Sequence, residues 1–134
     1  MKKNCLLERY ILKEDGYKCV FQQDNWQVAL IKWSKNRNVI EKFERHKETP
    51  EIFILIFGKA GILTYSNDTK EFAMERMETE LIYNVKRGIW HSLIVEGNVN
   101  IAIVEKKNTH LYDVEYKTLT LQEKIRVEEI TKSL

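Results

Sequence analysis

Apolar residues alternate with polar ones along most of the chain, in short runs broken by turn residues. The clearest run is residues 26–33, where Trp26, Val28 and Leu30 share one face and Ala29, Ile31 and Trp33 the other. A strand apolar on both faces is covered on both sides, which predicts a central position. In residues 51–57, Glu51, Phe53, Leu55 and Phe57 share a face. Residues 17–23, 39–46, 62–66 and 80–85 also read as strands, and 90–95 with 99–105 as a hairpin closed by Glu96-Gly97-Asn98. Residues 72–77 have a composition that suits a helix, but their place between hairpins argues for an edge strand. Asp15-Gly16, Asp24-Asn25 and Asn67-Asp68 are turn signals, and Gly58-Lys59-Ala60-Gly61 reads as a tight connection. The first fifteen residues fit a short strand or one helical turn, and residues 110–116 a final extended piece.

One helix stands out. Thr120-Leu121-Gln122-Glu123 is a capping box, which predicts helix over residues 121–132. Val127, Ile130 and Leu134 form one stripe, while Leu121 and Ile125 fall on a different side. The start of that helix therefore suits the barrel, and its end suits something beyond it, such as a second subunit. Many short strands with frequent turns, and no helices alternating with them, predict an all-β sandwich or barrel. No internal repeat is evident.

Composition narrows the class. The 134 residues fit one domain, with a barrel over roughly residues 17–117, and the apolar fraction of 43% is spread along the whole chain. The 22 basic and 20 acidic residues leave a net charge of +2 without a block of one sign, so nucleic acid and anionic membrane are poor partners. Cys5 and Cys19 lack metal or redox spacing and read as reduced thiols. The basic start lacks an apolar segment behind it, so no signal peptide is read, and the longest apolar run, residues 52–57, is too short to cross a bilayer. A cytoplasmic protein is expected.

The candidate chemistry sits in two segments. The first is Glu44-Arg45-His46, followed by Glu51 and Gly58; the second is Lys86-Arg87-Gly88-Ile89-Trp90-His91. On adjacent antiparallel strands, Glu44, His46, Glu51 and His91 could face one interior. Imidazole nitrogens with carboxylate oxygens suit a divalent Zn, Mn, Fe, Co or Ni. The same groups could do metal-free acid–base work, with burial raising a carboxyl pKa beside a near-neutral histidine. Tyr83 and Trp90 are further candidates to contact a ligand.

This spacing resembles the cupin superfamily. Its first motif places His-x-His, then Glu, then Gly; here His46, Glu51 and Gly58 match, and Glu44 stands where the first His belongs. Its second motif reads Pro-x-Gly-x-x-His with a later Asn; here Gly88 and His91 match, while Lys86 and Val95 replace the Pro and the Asn. The resemblance implies a small double-sheet jelly-roll barrel with the short C-terminal helix added. Glu44-Arg45-His46 together with Arg87-x-x-Trp90-His91 also looks like the ureidoglycolate lyase family of small cupin-like homodimers. Glu51 departs from that family, where a neutral residue is expected. That likeness implies elimination of urea from a small ureido hydroxy acid. It would give Arg45 or Arg87 the substrate carboxylate, His46 or His91 the role of base, and Glu44 or Glu51 that of acid. Within the superfamily, a sugar- or acid-binding module without catalysis and a metal-dependent sugar isomerase or dioxygenase are the alternatives.

Overall fold

A computed structural model of the chain describes residues 6–37 and 39–134. The elements run β1 (Gly16–Gln23), β2 (Trp26–Trp33), β3 (Lys42–Arg45), β4 (Glu51–Tyr65), β5 (Phe72–Arg76), β6 (Ile82–Val85), β7 (Trp90–Lys106), α1 (Thr109–Tyr112), β8 (Glu115–Thr118) and α2 (Leu121–Thr131). Every pairing is antiparallel. The sheet order is β1-β2-β7-β3-β8, with β4 on β7 and both β5 and β6 on β4.

Two long strands organise the barrel. β4 and β7 pair along nearly their whole lengths, from Ile52 opposite Val104 to Tyr65 opposite Trp90. The expected connection at residues 58–61 and the expected hairpin at 96–98 are therefore not chain reversals. Each is a bend inside one continuous strand. Gly58 and Gly97 both have positive φ, at 101° and 70°, and the register slips on both sides of Phe57. A Cβ on Gly58 would lie 2.2 Å from the Asn98 carbonyl oxygen, so only glycine lets the two strands bend in contact. Turn residues in the sequence thus marked corners that the ladder crosses without breaking.

The alternation of β2 buries Gln27, Ala29 and Ile31 and leaves Trp26 at the surface. β2 lies between β1 and β7, as a strand apolar on both faces predicts. One apolar cluster gathers Ala29, Ile31, Phe53, Leu55, Ile101 and Ile103 inside the barrel. A second gathers Phe43, Leu63, Ile94, Leu119 and Val127 beneath α2. Thr120 caps that helix, accepting from the Glu123 amide at 3.1 Å, while Glu123 accepts from the Thr120 amide at 3.0 Å. Ile130 and Leu134 join the second cluster, whereas Leu121 and Ile125 stay exposed.

Residues 72–76 form the edge strand rather than a helix. Residues 110–116 depart from the extended reading, because α1 makes a helical turn before β8 begins. The left-handed Asn108 redirects the chain there, and Thr109 donates its hydroxyl to the Lys106 carbonyl at 2.6 Å. The first-turn expectation is met only by irregular chain over residues 7–13, and Cys5 lies outside the described residues. Cys19 is a free thiol. Among the described residues, no helix is long and apolar enough to cross a membrane.

Candidate metal centre

β3, β4 and β7 converge at one end of the barrel. Glu44 on β3 is the register partner of His91 on β7, so the two side chains stand on one face. Glu51 opens β4, and His46 follows β3 directly. One potential ligand atom from each of Glu44, His46, Glu51 and His91 lies within 4.8 Å of all the others. His46, Glu51 and His91 are buried, and Glu44 is half-buried.

Backbone carbonyls orient both imidazoles. His46 Nδ1 lies 2.6 Å from the Asp113 carbonyl oxygen, and His91 Nδ1 lies 3.0 Å from that of Ile89. A carbonyl only accepts, so each Nδ1 carries the donated proton and each Nε2 is turned inwards. Asp113 is itself fixed, since its carboxylate accepts from the Lys47 and Glu48 amides at 2.9 and 2.8 Å. Inside, His91 Nε2 lies 2.9 Å from Glu51 Oε1, and His46 Nε2 lies 3.2 Å from Glu51 Oε2. The second approach is close in distance but not aligned as a hydrogen bond, and His46 Nε2 is a buried atom without a hydrogen-bond partner. Glu44 Oε1 is 3.9 Å from His91 Nε2.

Charge follows from this packing. Burial pulls the His46 imidazole down, but the contact with Glu51 and its charge outweigh that and push it up to about 9. His91 is raised by the same balance. Burial pushes Glu51 up, and the two imidazoles more than reverse this, holding it well below the carboxylate range. Both imidazoles are thereby shifted towards the protonated form beside the Glu51 carboxylate. Two inward Nε2 atoms, one of them unpartnered, and two carboxylates form a nitrogen–oxygen donor set that fits a first-row divalent metal.

A fifth group belongs to the site and was not singled out in the sequence. Glu105 on β7 is buried and accepts at Oε1 from Gln27 Nε2 at 3.0 Å and Tyr17 Oη at 3.3 Å, while its Oε2 is buried without a hydrogen-bond partner. Burial first, then the neighbouring Glu51 carboxylate and its charge, push Glu105 up to about 8 despite the opposing Gln27 contact. That shift favours its neutral acid form at neutral pH. The signal was there: Glu105 shares its strand face with Val99, Ile101 and Ile103, and a carboxyl on such a face needs a partner. Glu105→Gln should keep both the acceptor and the donor and stay near the parent in stability. Glu105→Ala should lose about 1–3 kcal/mol by stranding the Gln27 amide and the Tyr17 hydroxyl. Urea denaturation reads the difference, and equal losses in the two variants would contradict the role of Glu105 as the acceptor for Gln27 and Tyr17.

The centre opens into a cavity of about 280 Å³ with walls that include Ile31, Phe53 and Ile103. Of the other sequence candidates, Arg45, Tyr83, Arg87 and Trp90 do not line it. Arg45 follows Glu44 on β3 and so points to the opposite face, where it pairs with Glu115 at 2.8 Å and lies 4.4 Å from the centroid of Trp90. Trp90 is buried in the second cluster. The Tyr83 hydroxyl accepts from the Glu78 amide at 2.8 Å, and Arg87 is exposed on the turn before β7. The cations lining the cavity are instead Arg37 and Lys42.

No protein-family model matches the chain, and no curated protein sequence does. Solved structures match its fold. A cupin-2 domain containing protein from Shewanella frigidimarina aligns with a TM-score of 0.56 at 16% identity, over 72% of this chain and 85% of that one. CapF, a capsular polysaccharide assembling protein from Staphylococcus aureus, aligns at 0.62 and 14% identity, over 82% of this chain and 34% of CapF. Fe(II)-HppE with an alternative substrate aligns at 0.55 and 12% identity, over 66% of this chain and 47% of HppE. The chain thus spans about a third of CapF and about half of HppE. The fold is a small cupin jelly roll with a short C-terminal helix. None of these likenesses singles out ureidoglycolate lyase.

Proposed function

We propose that this chain is a metal-dependent enzyme of small hydroxy acids, a lyase of the ureidoglycolate type. The observation that carries this reading is the convergence of two imidazole Nε2 atoms and two carboxylates within 4.8 Å beside a small cavity. His46, Glu51 and His91 would hold the metal, and Glu44 stands beside them as the group that moves the proton. The likeness to an iron-loaded cupin supports Fe(II) among the candidate metals. The bound metal would supply Lewis-acid polarisation of the substrate's hydroxyl oxygen.

The chain's own groups do the rest. The Asp113 and Ile89 carbonyls hold the imidazoles in the ligating tautomer. Among the described residues, Glu44 makes no ion pair closer than 3.9 Å, and it is half-buried, which leaves its carboxylate open to a substrate proton. It takes the substrate's hydroxyl proton, the carbonyl forms as the carbon–nitrogen bond breaks, and the proton passes to the departing urea nitrogen. This departs from the family-based expectation for the base, because His46 and His91 both face Glu51.

Glyoxylate release from ureidoglycolate by anaerobically Fe(II)-loaded protein tests the reading. Turnover should require the metal and fall at least about a hundredfold in Glu44→Gln. Metal-loaded protein that binds small acids but turns over neither ureidoglycolate nor any 2-hydroxy acid would leave a binding module in place of an enzyme.

A further inference from the structure

Arg37 and Lys42 are exposed residues that line the cavity holding the metal centre. Each lies over an aromatic ring that lines the same cavity. The Arg37 guanidinium carbon is 4.5 Å from the Trp33 centroid, and the Lys42 Nζ is 4.0 Å from that of Tyr116. Among the described residues, neither cation has a carboxylate within ion-pair distance, although the Glu44 charge acts on Arg37. Ring faces seat these two cations without using their hydrogen-bond donors, which stay free for a ligand.

Among the described residues, Arg37 and Lys42 are the lysine and arginine side chains of the lining, and both are exposed, whereas His46, Glu51 and His91 are buried. The cavity, at about 280 Å³, admits a small organic acid rather than a polymer.

We propose that Arg37 and Lys42 form an anion subsite at the mouth of the cavity, which takes a carboxylate of a small acid whose other end faces Glu44, His46, Glu51 and His91. This deepens the reading of the cavity as a substrate site and replaces the arginines that the family likeness suggested. Arg37 and Lys42 thereby decide specificity for an anionic ligand, independent of whether the chain turns it over.

The test is calorimetric binding of malonate and of its neutral isostere malonamide, to metal-free and to Mn(II)-loaded protein. Malonate should bind at least roughly tenfold tighter than malonamide in both forms. The Arg37→Gln/Lys42→Met double variant should lose that preference while melting at the parent temperature, since both side chains are exposed and unpaired. Equal binding of the two probes to the metal-free parent, or a preference that survives in the metal-free double variant, would overturn the subsite. Binding of inorganic phosphate without binding of malonate would overturn the carboxylate assignment. Because the comparison is also made without metal and without turnover, a failed lyase assay leaves it standing, and its own failure leaves the metal centre standing.

Discussion

Replacing Glu51 by alanine lowers the unfolding free energy of the metal-free protein by about 3–5 kcal/mol at pH 6 and abolishes metal binding. Glu51 is the one anion that both buried imidazoles touch, at 2.9 and 3.2 Å. Without it, two charged rings remain in an apolar end of the barrel, facing only the half-exposed Glu44. The rings can relieve part of that cost by shedding their protons, so the loss should be largest at acidic pH and smaller above pH 8. Glu51→Gln keeps the shape and removes the charge. It should lose much of the same stability, and it serves as the readable variant if the alanine form does not fold. Urea denaturation at pH 6 and pH 8.5 measures both. A loss below about 1 kcal/mol at pH 6 would mean that the imidazoles are neutral in the metal-free site.

The second large effect is a fall in metal-free stability from pH 6.5 to pH 9.5. His46 is raised from 6.5 to about 9 in the folded chain. Its contribution is complete below the unfolded value and disappears as the pH rises through the folded one. His91 is shifted in the same direction. Glu105 acts with the same sign, because its proton is held to about 8 in the folded chain and lost near 4.5 in the unfolded one. Glu51 has the opposite sign: its lowered value contributes stability above 4.5 that vanishes as the pH falls. The metal-free protein should therefore be most stable on the mildly acid side of neutrality. A tenfold difference in proton affinity between folded and unfolded chain is worth about 1.4 kcal/mol, so the melting temperature should drop by roughly 5–10 °C across that window. Metal competes with the same protons, so affinity for Mn(II) should climb over the pH range in which stability declines. A flat melting profile from pH 6.5 to 9.5 would contradict the paired imidazolium state.

The strand pattern and the capping box made the fold legible, because period-two alternation and a Thr–Glu cap depend on local chemistry. The two long strands were less legible. Glycine looks the same in sequence whether it reverses the chain or bends a strand, and only the contact between Gly58 and Asn98 decides. The positions of Glu44, His46, Glu51 and His91 were readable because motif spacing places them at strand ends. The cations were harder. Arg45 and Arg87 sit beside the motif residues, yet alternation turns Arg45 away and a turn carries Arg87 outward. Arg37 and Lys42 reach the cavity through the loop before β3 and its first residue, and their aromatic seats come from β2 and β8. Such neighbours are set by tertiary pairing and leave no mark in local sequence. Glu105 was overlooked for a different reason: at the end of an apolar strand it reads as a solvated cap, whereas Gln27 and Tyr17 cover it.

The most direct measurement is elemental analysis of protein purified without chelator, incubated anaerobically with Fe(II) or Mn(II) and desalted, alongside His91→Ala treated in the same way. The account predicts about one divalent ion per chain in the parent and a near-complete loss in the variant, with both proteins folded. Metal-free parent protein after loading, or equal metal in parent and variant, would contradict a centre built from His46, Glu51 and His91.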